Sequence, residues 1–173
     1  MSTAMKTFMG RRLYPPPMRD AAPVLRAIAE AAKTSRTRDH LARPAVIGIQ
    51  AALKQADWVG VYWLDGDALV LGPFLGAPTE HTRIPVGVGV CGTAVSENRD
   101  QVVEDVRKRP NYLACSAKTR SEIVVLIRSG SRVVGQLDLD SDTVGAFGKE
   151  EHAFLTEVAA ALGAALAAGT AVS

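Results

Sequence analysis

The sequence has few of the residues and segments that mark secreted, membrane-spanning or metal-rich proteins. Only two of its 173 residues are cysteines, and two thiols in an intracellular chain are more often free, metal-bound or redox-active than a structural disulfide. The first residues lack the apolar run and the small-residue cleavage site of a secretory signal. The longest apolar segment, residues 158–172, spans 15 positions, fewer than the roughly 20 that a membrane-spanning helix needs. We therefore expect a cytoplasmic protein that does not bind membranes.

Strong charge of one sign is also absent. The net charge is +2, with acidic and basic residues mixed along the chain, which is too weak a field to favour a nucleic acid partner. The sequence has no P-loop, no G-x-S-x-G and no G-x-G-x-x-G that opens a helix after a strand. These absences argue against the common nucleotide-dependent and hydrolase classes, and we expect no cofactor.

The composition and length fit one globular domain. Apolar residues make up 47% of the chain and charged residues 22%, which is ordinary for a soluble domain with a sizeable core. Residues 1–19 contain YPPPM and little periodicity, which predicts an irregular N-terminal arm. Residues 20–173 contain no internal repeat and no linker, so we expect them to form one domain.

Hydrophobic periodicity predicts the order helix, helix, strand, strand, helix, strand, strand, strand, helix. The predicted bounds are 20–33, 37–56, 58–64, 68–74, 90–97, 101–104, 122–128, 132–140 and 149–168. Asp20 is the expected cap of the first helix, and Pro44 could divide the second helix into two pieces. Hairpin-joined strands with helices mainly at the ends predict an α+β fold with an antiparallel sheet. The terminal helices would cover one sheet face, and loops over the other face would leave a small-molecule pocket.

The last predicted hairpin places three carboxylates on one face of the sheet. With residues 129–131 as the loop, Arg128 lies opposite Arg132 and Glu122 lies opposite Asp138. Side chains along a strand alternate between faces, so the hairpin divides into two sets. The helix-facing set is Ile123, Val125, Ile127, Val133, Leu137 and Leu139, and the loop-facing set is Glu122, Val124, Leu126, Val134, Gln136, Asp138 and Asp140.

Carboxylates gathered on such a face have two interpretations. Charged strand residues are usually solvated, in which case these acids have no specific role. Alternatively, they form an acidic pocket for a cation such as the amine of a ligand. Crowded carboxylates raise one another's pKa, so one of them would keep a proton near neutral pH and serve as a general acid.

The two thiols are expected near this pocket. Cys115 comes seven residues before Glu122, so chain length alone keeps it close to the acidic strand. Cys91 lies in GVGVCGTAV, a glycine-rich turn that enters a short helix, where the helix dipole favours a thiolate. The alternative is that both are small buried hydrophobes, as isolated cysteines usually are.

Five motifs occur along the chain in a fixed order: ADWVGVYWL, LVLGPFLG, RIPVGVGVCGTAV, NYLACSAKTRSEIVV and GQLDLDS. In these motifs and in their order the chain resembles the GAF-domain free methionine-(R)-sulfoxide reductases. The resemblance is close over residues 56–142, and the flanking helices fit only the general GAF plan. It implies a six-stranded antiparallel sheet with a loop-covered ligand pocket, in a homodimer.

The resemblance also implies a catalytic set: Cys115, Cys91, Glu122 and Asp140. Cys115 matches the cysteine that attacks the sulfoxide sulfur, and an acid with a raised pKa would protonate the departing oxygen. The products would be methionine and a cysteine sulfenic acid. A second thiol would then form a disulfide, and a thioredoxin-type reductant would open it.

The same resemblance implies a substrate-binding set: Trp58, Tyr62, Glu122, Asp138 and Asp140. The acids match residues that hold the substrate and its reacting oxygen, and the aromatic residues match side chains near its methyl group. An acidic pocket also suits the ammonium group of a free amino acid.

One cysteine of the family is missing from this chain. The members most similar in motif carry a resolving cysteine after GPFxG, where this chain has GAPTEHTRI with His81 at the matching position. Recycling would then depend on Cys91 or on an external thiol. Two alternatives follow: a non-catalytic GAF domain that binds or senses a small molecule, and a metal site of His81, Cys91 and Cys115, since two thiolates and an imidazole suit zinc.

Overall fold

The computed structural model of the protein describes residues 19–34, 37–110, 112 and 116–170. Within these residues the chain forms four α-helices, six β-strands and a 3₁₀ turn. The helices are α1 (Ala22–Thr34), α2 (Arg38–Ala52), α3 (Gly89–Ser96) and α4 (Lys149–Thr170), and the 3₁₀ turn is Val106–Lys108. The strands are β1 (Trp58–Asp65), β2 (Ala68–Leu75), β3 (Arg83–Pro85), β4 (Gln101–Val103), β5 (Ser121–Ser129) and β6 (Arg132–Ser141).

The predicted N-terminal arm, residues 1–19, lies outside the described residues except for Arg19. The Arg19 guanidinium donates hydrogen bonds of 3.2 and 3.1 Å to Glu151 on α4 and one of 3.0 Å to the backbone oxygen of Ala52 at the end of α2. The predicted cap of α1 is confirmed, because the backbone N–H of Ala22 donates to Asp20 Oδ1 at 2.9 Å.

The described strands form one antiparallel sheet in the order β3-β2-β1-β6-β5-β4. Hairpins join β1 to β2 and β5 to β6, and the pairing of β1 with β6 joins the two hairpins at the centre of the sheet. The predicted α+β antiparallel fold is therefore confirmed. The structure adds β3, which the predicted order lacks because three residues are too few to show periodicity.

Helices α1, α2 and α4 pack on one face of the sheet, where they bury the larger apolar core. The apolar residues that α4 contributes with at most 1% exposure are Phe154, Leu155, Val158 and Leu162. None of the helices in the described residues is both long and apolar enough to span a membrane.

Helix α2 runs through Pro44 without a break, so the two-piece alternative is wrong. Proline removes one backbone hydrogen bond from a helix interior. Here Leu41, Ala45 and Ile49, on both sides of Pro44, are 0% exposed. Packing of this stripe against the core keeps the helix continuous across the proline, because burial outweighs a local propensity.

The β5–β6 hairpin differs from the prediction in register. Ser129 pairs with Arg132, which leaves a two-residue turn of Gly130 and Ser131, and Glu122 lies opposite Asp140 rather than Asp138. Gly130 has a φ of 62°, the conformation that a two-residue hairpin turn with glycine in first place requires.

A β-bulge near the turn accounts for the rest of the shift. Ile127 pairs with Gly135 but its neighbour Arg128 pairs with Val133, so Val134 is an extra residue in β6. Val134 consequently packs with the helix-facing core and Val133 with the opposite cluster, the reverse of the prediction. Beyond the bulge the shift amounts to two residues, one full strand period, so every other predicted face is retained.

The opposite face of the sheet is covered by α3 and by the loops between the strands. A second apolar cluster lies there, to which Trp58 and Tyr62 of β1, Cys91 of α3 and Val124 of β5 contribute. This is the face on which the candidate site lies.

Candidate active site

Three buried carboxylates lie together on the face that α3 and the loops cover. Glu122 is opposite Asp140 in the β5–β6 ladder, and Asp138 is two residues from Asp140 on β6. Their exposed fractions are 2%, 4% and 0% respectively. The structure therefore brings together the acids that strand alternation predicted, and it buries them, so the alternative in which they are solvated is wrong.

Burial raises the pKa of each acid. The pKa of Glu122 is raised well above its ordinary value by desolvation, and then by the charges of Asp138 and Asp140. Desolvation and the charge of Asp138 likewise raise the pKa of Asp140. Desolvation raises the pKa of Asp138 from 3.8 to about 7, although the Cys91 and Glu122 side chains lower it in part. The cluster therefore keeps at least one proton at neutral pH and titrates as a unit.

Five polar side-chain atoms of β6 are buried without a partner in hydrogen-bond geometry among the described residues. They are both amide atoms of Gln136, both carboxyl oxygens of Asp138 and Oδ1 of Asp140. These residues occupy alternate positions of one strand, so all three side chains share the site face. Leaving a buried polar group unpaired costs about 1–3 kcal/mol. A row of such groups is typical of a site whose partners belong to a ligand.

Cys91 reaches the cluster from α3. It lies in the first turn of that helix, as the sequence predicted, and it is 3% exposed. Its Sγ lies 3.9 Å from Glu122 Oε1. Sγ and one oxygen from each of Glu122 and Asp138 lie within 4.8 Å of one another, and no other group of three potential metal ligands occurs in the part of the chain that the structure describes. His81 is outside this group and Cys115 is outside the described residues, so the predicted metal site of His81, Cys91 and Cys115 stays a prediction.

Trp58 and Tyr62 of β1 stand beside the acids. Trp58 lies opposite Asp140 in the β1–β6 ladder, and its ring centroid is 6.2 Å from that of Tyr62. Gly60, between them, permits this arrangement, since a Cβ at that position would overlap the Trp58 indole. The indole therefore extends over Gly60, which pairs with Asp138 on the neighbouring strand.

The same two aromatic residues hold the loop between β2 and β3. Trp58 Nε1 donates a hydrogen bond of 3.1 Å to the backbone oxygen of Ala77, and Tyr62 Oη donates one of 2.7 Å to the backbone oxygen of His81. His81, which stands where the resemblance expects a cysteine, is half-buried in this loop.

A cavity of about 280 Å³ opens between this loop and the segment that follows β6. The buried residues Trp58 and Asp140 form its floor, and the exposed residues Asp57, Lys118 and Asp142 stand at its mouth. Its volume is near the lower end of the range for small-ligand sites, which suits a molecule the size of an amino acid.

Sequence reasoning gave no role to Gln136 or to the charged residues at the mouth of the cavity. A role for Gln136 could have been predicted from the sequence, because strand alternation already assigned it to the acidic face. Asp57 immediately precedes β1 and Asp142 immediately follows β6. The two strands are far apart in the sequence, and only their pairing brings the two aspartates together.

Comparison with known proteins gives the family. The GAF domain family matches residues 38–166. The free methionine-R-sulfoxide reductase of Escherichia coli (strain K12) is 44% identical over 115 residues, which are 66% of this chain and 69% of that protein. The structure of the Neisseria meningitidis free methionine-R-sulfoxide reductase in complex with its substrate is similar at a TM-score of 0.78 and 35% identity, over 88% of this chain and 92% of that one. The reduced form of the Staphylococcus aureus fRMsr is similar at a TM-score of 0.77 and 33% identity, over 86% and 96% of the two chains.

The chain belongs to the GAF domain family and, within it, to the free methionine-(R)-sulfoxide reductases. The family resemblance drawn from the motifs is thereby confirmed, as is the six-stranded antiparallel sheet that it implied.

Proposed function

We propose that the protein reduces free methionine-(R)-sulfoxide to methionine, with Cys115 as the nucleophile. One observation carries the proposal: Glu122, Asp138 and Asp140 form a buried carboxyl cluster beside the cavity that Trp58 and Asp140 floor, and Asp138 and Asp140 have oxygens without a described hydrogen-bond partner. Reduction of a sulfoxide requires a proton for the departing oxygen, and a carboxyl group with a raised pKa supplies it near neutral pH.

The proposed step conserves atoms and electrons. The Cys115 thiol sulfur attacks the sulfoxide sulfur and forms a transient S–S bond, while the sulfoxide oxygen takes up a proton. The oxygen then moves to the Cys115 sulfur as the substrate S–O bond and the transient S–S bond break, which releases methionine and leaves Cys115 as a sulfenic acid. The substrate sulfur gains two electrons and the cysteine sulfur loses two. Glu122 and Asp140 hold and protonate the oxygen, Asp138 completes the polar floor, and the rings of Trp58 and Tyr62 face the methyl group.

Recycling requires a second thiol. In the proposal Cys91 condenses with the sulfenic acid of Cys115, releasing water and forming a disulfide, and a thioredoxin-type dithiol reduces that disulfide. A thiol-dependent cycle requires a reducing compartment, so the proposal includes a cytoplasmic location. It also includes a homodimer in which residues 20–173 form a single GAF domain and residues 1–19 an irregular arm.

The test is the consumption of free methionine-(R)-sulfoxide with dithiothreitol by the wild-type chain and by Cys115→Ser. We expect turnover by the wild type and none by the variant, with methionine binding retained in both. Cys91→Ser should turn over with dithiothreitol but not with thioredoxin. Full activity of Cys91→Ser with both reductants would remove Cys91 from the cycle, and equal activity of Cys115→Ser and wild type would remove the proposed nucleophile.

A second candidate function is a GAF domain that binds the ligand without turning it over. The observation that favours it is His81, at the position where the resemblance expects the resolving cysteine. Methionine or its sulfoxide would then bind to the wild-type chain with no consumption under any thiol. That result would select the binding module over the reductase.

A further inference from the structure

The Arg120 side chain binds the loop that joins Cys115 to β5. Its Nη1 atom donates hydrogen bonds of 3.1, 3.0 and 3.0 Å to the backbone oxygens of Ala117, Lys118 and Thr119. This nitrogen has two N–H groups, so the three acceptors share them. A charged donor strengthens each hydrogen bond to a neutral carbonyl, and one side chain thereby holds three consecutive peptide groups.

The backbone of Arg120 is itself fixed to two other elements. Its N–H donates at 2.7 Å to the backbone oxygen of Ser141 at the end of β6, and its carbonyl oxygen accepts at 2.8 Å from the N–H of Val106 in the 3₁₀ turn. The next residue, Ser121, opens β5 and is 0% exposed. Arg120 is therefore a fixed base from which the side chain reaches back to the preceding loop.

The loop of residues 116–119 has few hydrogen bonds of its own. The N–H of Lys118 donates to Ser116 Oγ at 3.1 Å, and the N–H of Thr119 donates to the Ser116 backbone oxygen at 3.3 Å. Three of its four residues are exposed, so packing adds little to the order of the loop. Its conformation consequently depends on the hydrogen bonds from Arg120.

The loop lies beside the proposed nucleophile and the cavity. Ser116, Lys118 and Thr119 line the cavity of about 280 Å³, and Cys115 directly precedes Ser116 in the sequence. The acids and the aromatic residues of the site lie on β1, β5 and β6, so the sheet holds them independently of the loop. Loss of the guanidinium would thus disturb one wall of the cavity and the segment next to the nucleophile, and would leave the other side chains of the site in place.

We propose that Arg120 is a positioning residue, whose guanidinium holds residues 116–119 in the conformation that places the Cys115 thiol for attack on the substrate. The inference rests on the proposed function for the reaction and for the nucleophile. Arg120 is not among the residues that line the cavity, so its effect passes through the loop. A displacement of about 1 Å at a reacting group can lower a rate about a hundredfold, because attack requires close approach and alignment.

The experiment compares two substitutions of Arg120. Arg120→Met keeps an unbranched side chain and removes the donors, whereas Arg120→Lys keeps a charged donor. Arg26→Met is the matched control, since Arg26 is exposed on α1, on the helix-covered side of the sheet. Amide hydrogen exchange measured by mass spectrometry reports the order of residues 116–120 without turnover. Steady-state kinetics with dithiothreitol gives kcat and KM for free methionine-(R)-sulfoxide, and calorimetry gives the affinity for methionine.

The expected effect falls on the loop and on kcat. Arg120→Met should speed amide exchange in residues 116–120 about tenfold and leave exchange in β5 and β6 unchanged. It should lower kcat about tenfold while the affinity for methionine stays within about threefold, because the acids and the aromatic side chains remain in place. Arg120→Lys should recover part of the lost kcat. Added guanidinium at low millimolar concentration should raise the kcat of Arg120→Ala, and sodium at the same concentration should not.

Unchanged exchange of residues 116–120 in Arg120→Met would overturn the inference, and so would an unchanged kcat per folded molecule. An affinity for methionine that falls as far as kcat would overturn it as well, because the acids or the aromatic residues would then be disturbed. Arg26→Met should match wild type in every measurement, and Arg120→Lys carries the same comparison if Arg120→Met does not fold. A wild-type chain without turnover would refute the reductase proposal, and hydrogen exchange would still decide whether Arg120 holds the loop.

Discussion

Replacing Asp138 with asparagine should stabilise the protein at neutral pH, because the acid cluster opposes folding there. Asp138 is 0% exposed, and desolvation raises its pKa from 3.8 to about 7. Between these two values the folded chain holds a proton that the unfolded chain releases. The free energy of unfolding therefore falls as the pH rises through this interval, and above about pH 7 the whole contribution is lost.

The magnitude follows from the width of the interval. A rise from 3.8 to about 7, at about 1.4 kcal/mol per unit, makes the charged form of Asp138 cost about 4 kcal/mol. The pKa values of Glu122 and Asp140 are raised in the same direction, partly by Asp138 itself. The neutral variant should consequently be more stable than wild type by about 4 kcal/mol at about pH 8, and by about 2 kcal/mol at about pH 5.

The assay is urea unfolding of the ligand-free protein in the presence of a reductant, followed by tryptophan fluorescence across this pH range. Asp138→Asn should show a flatter dependence of the free energy of unfolding on pH, together with a loss of turnover, as expected where activity requires a destabilising site. Asp67→Asn, at an exposed turn, should give a curve parallel to wild type. A wild-type stability that rises from about pH 5 to about pH 8, or a variant less stable than wild type at about pH 8, would refute the reasoning.

Three further substitutions test the packing of the site and the core. In Gly60→Ala, the added Cβ would overlap the Trp58 indole and displace it. Methionine affinity measured by calorimetry should then fall about tenfold, while the circular dichroism spectrum stays native. An unchanged affinity would show that the position of the indole does not matter for binding. Tyr62→Phe removes the 2.7 Å hydrogen bond to the His81 backbone oxygen, so the free energy of unfolding should fall by about 1 kcal/mol. A variant as stable as wild type would contradict this role for the hydroxyl. In Gly163→Ala, the added Cβ would overlap a backbone carbonyl oxygen of β5. Thermal unfolding should then show that the free energy of unfolding falls by about 1–3 kcal/mol, with KM unchanged. A changed KM would contradict a purely structural role for Gly163.

The acidic face was predictable although the hairpin register was wrong. Glu122 lies opposite Asp140 and not Asp138, but the shift of two residues preserves the face of each side chain because strand alternation has a period of two. The prediction failed only at Val133 and Val134, where a bulge adds one residue to β6. A bulge depends on how the turn and the neighbouring strands fit together, and hydrophobic alternation carries no signal for it.

The sequence left the environment of the acids open, with solvation and burial as alternatives. The structure decides for burial, since α3 and the loops cover Glu122, Asp138 and Asp140. No local pattern encodes this covering, because it depends on where segments distant in sequence pack. The proposed role of Cys115 still rests on its identity within the AC-x-x-x-x-SEI motif, as that residue lies outside the described part of the chain.

The sequence by itself determined the α+β class, the shared strand face of Glu122, Asp138 and Asp140, the helical position of Cys91 and the family, because these depend on local periodicity and on ordered motifs. Only the tertiary structure decided that the acids are buried with raised pKa values, and that Cys91 Sγ lies 3.9 Å from Glu122 Oε1. It also decided that Asp57 and Asp142 meet across a separation of 85 residues. The physical reason is common to all three findings: each depends on the long-range pairing of strands or on the packing of α3 and the loops over the sheet, and neither has a local signature in the chain.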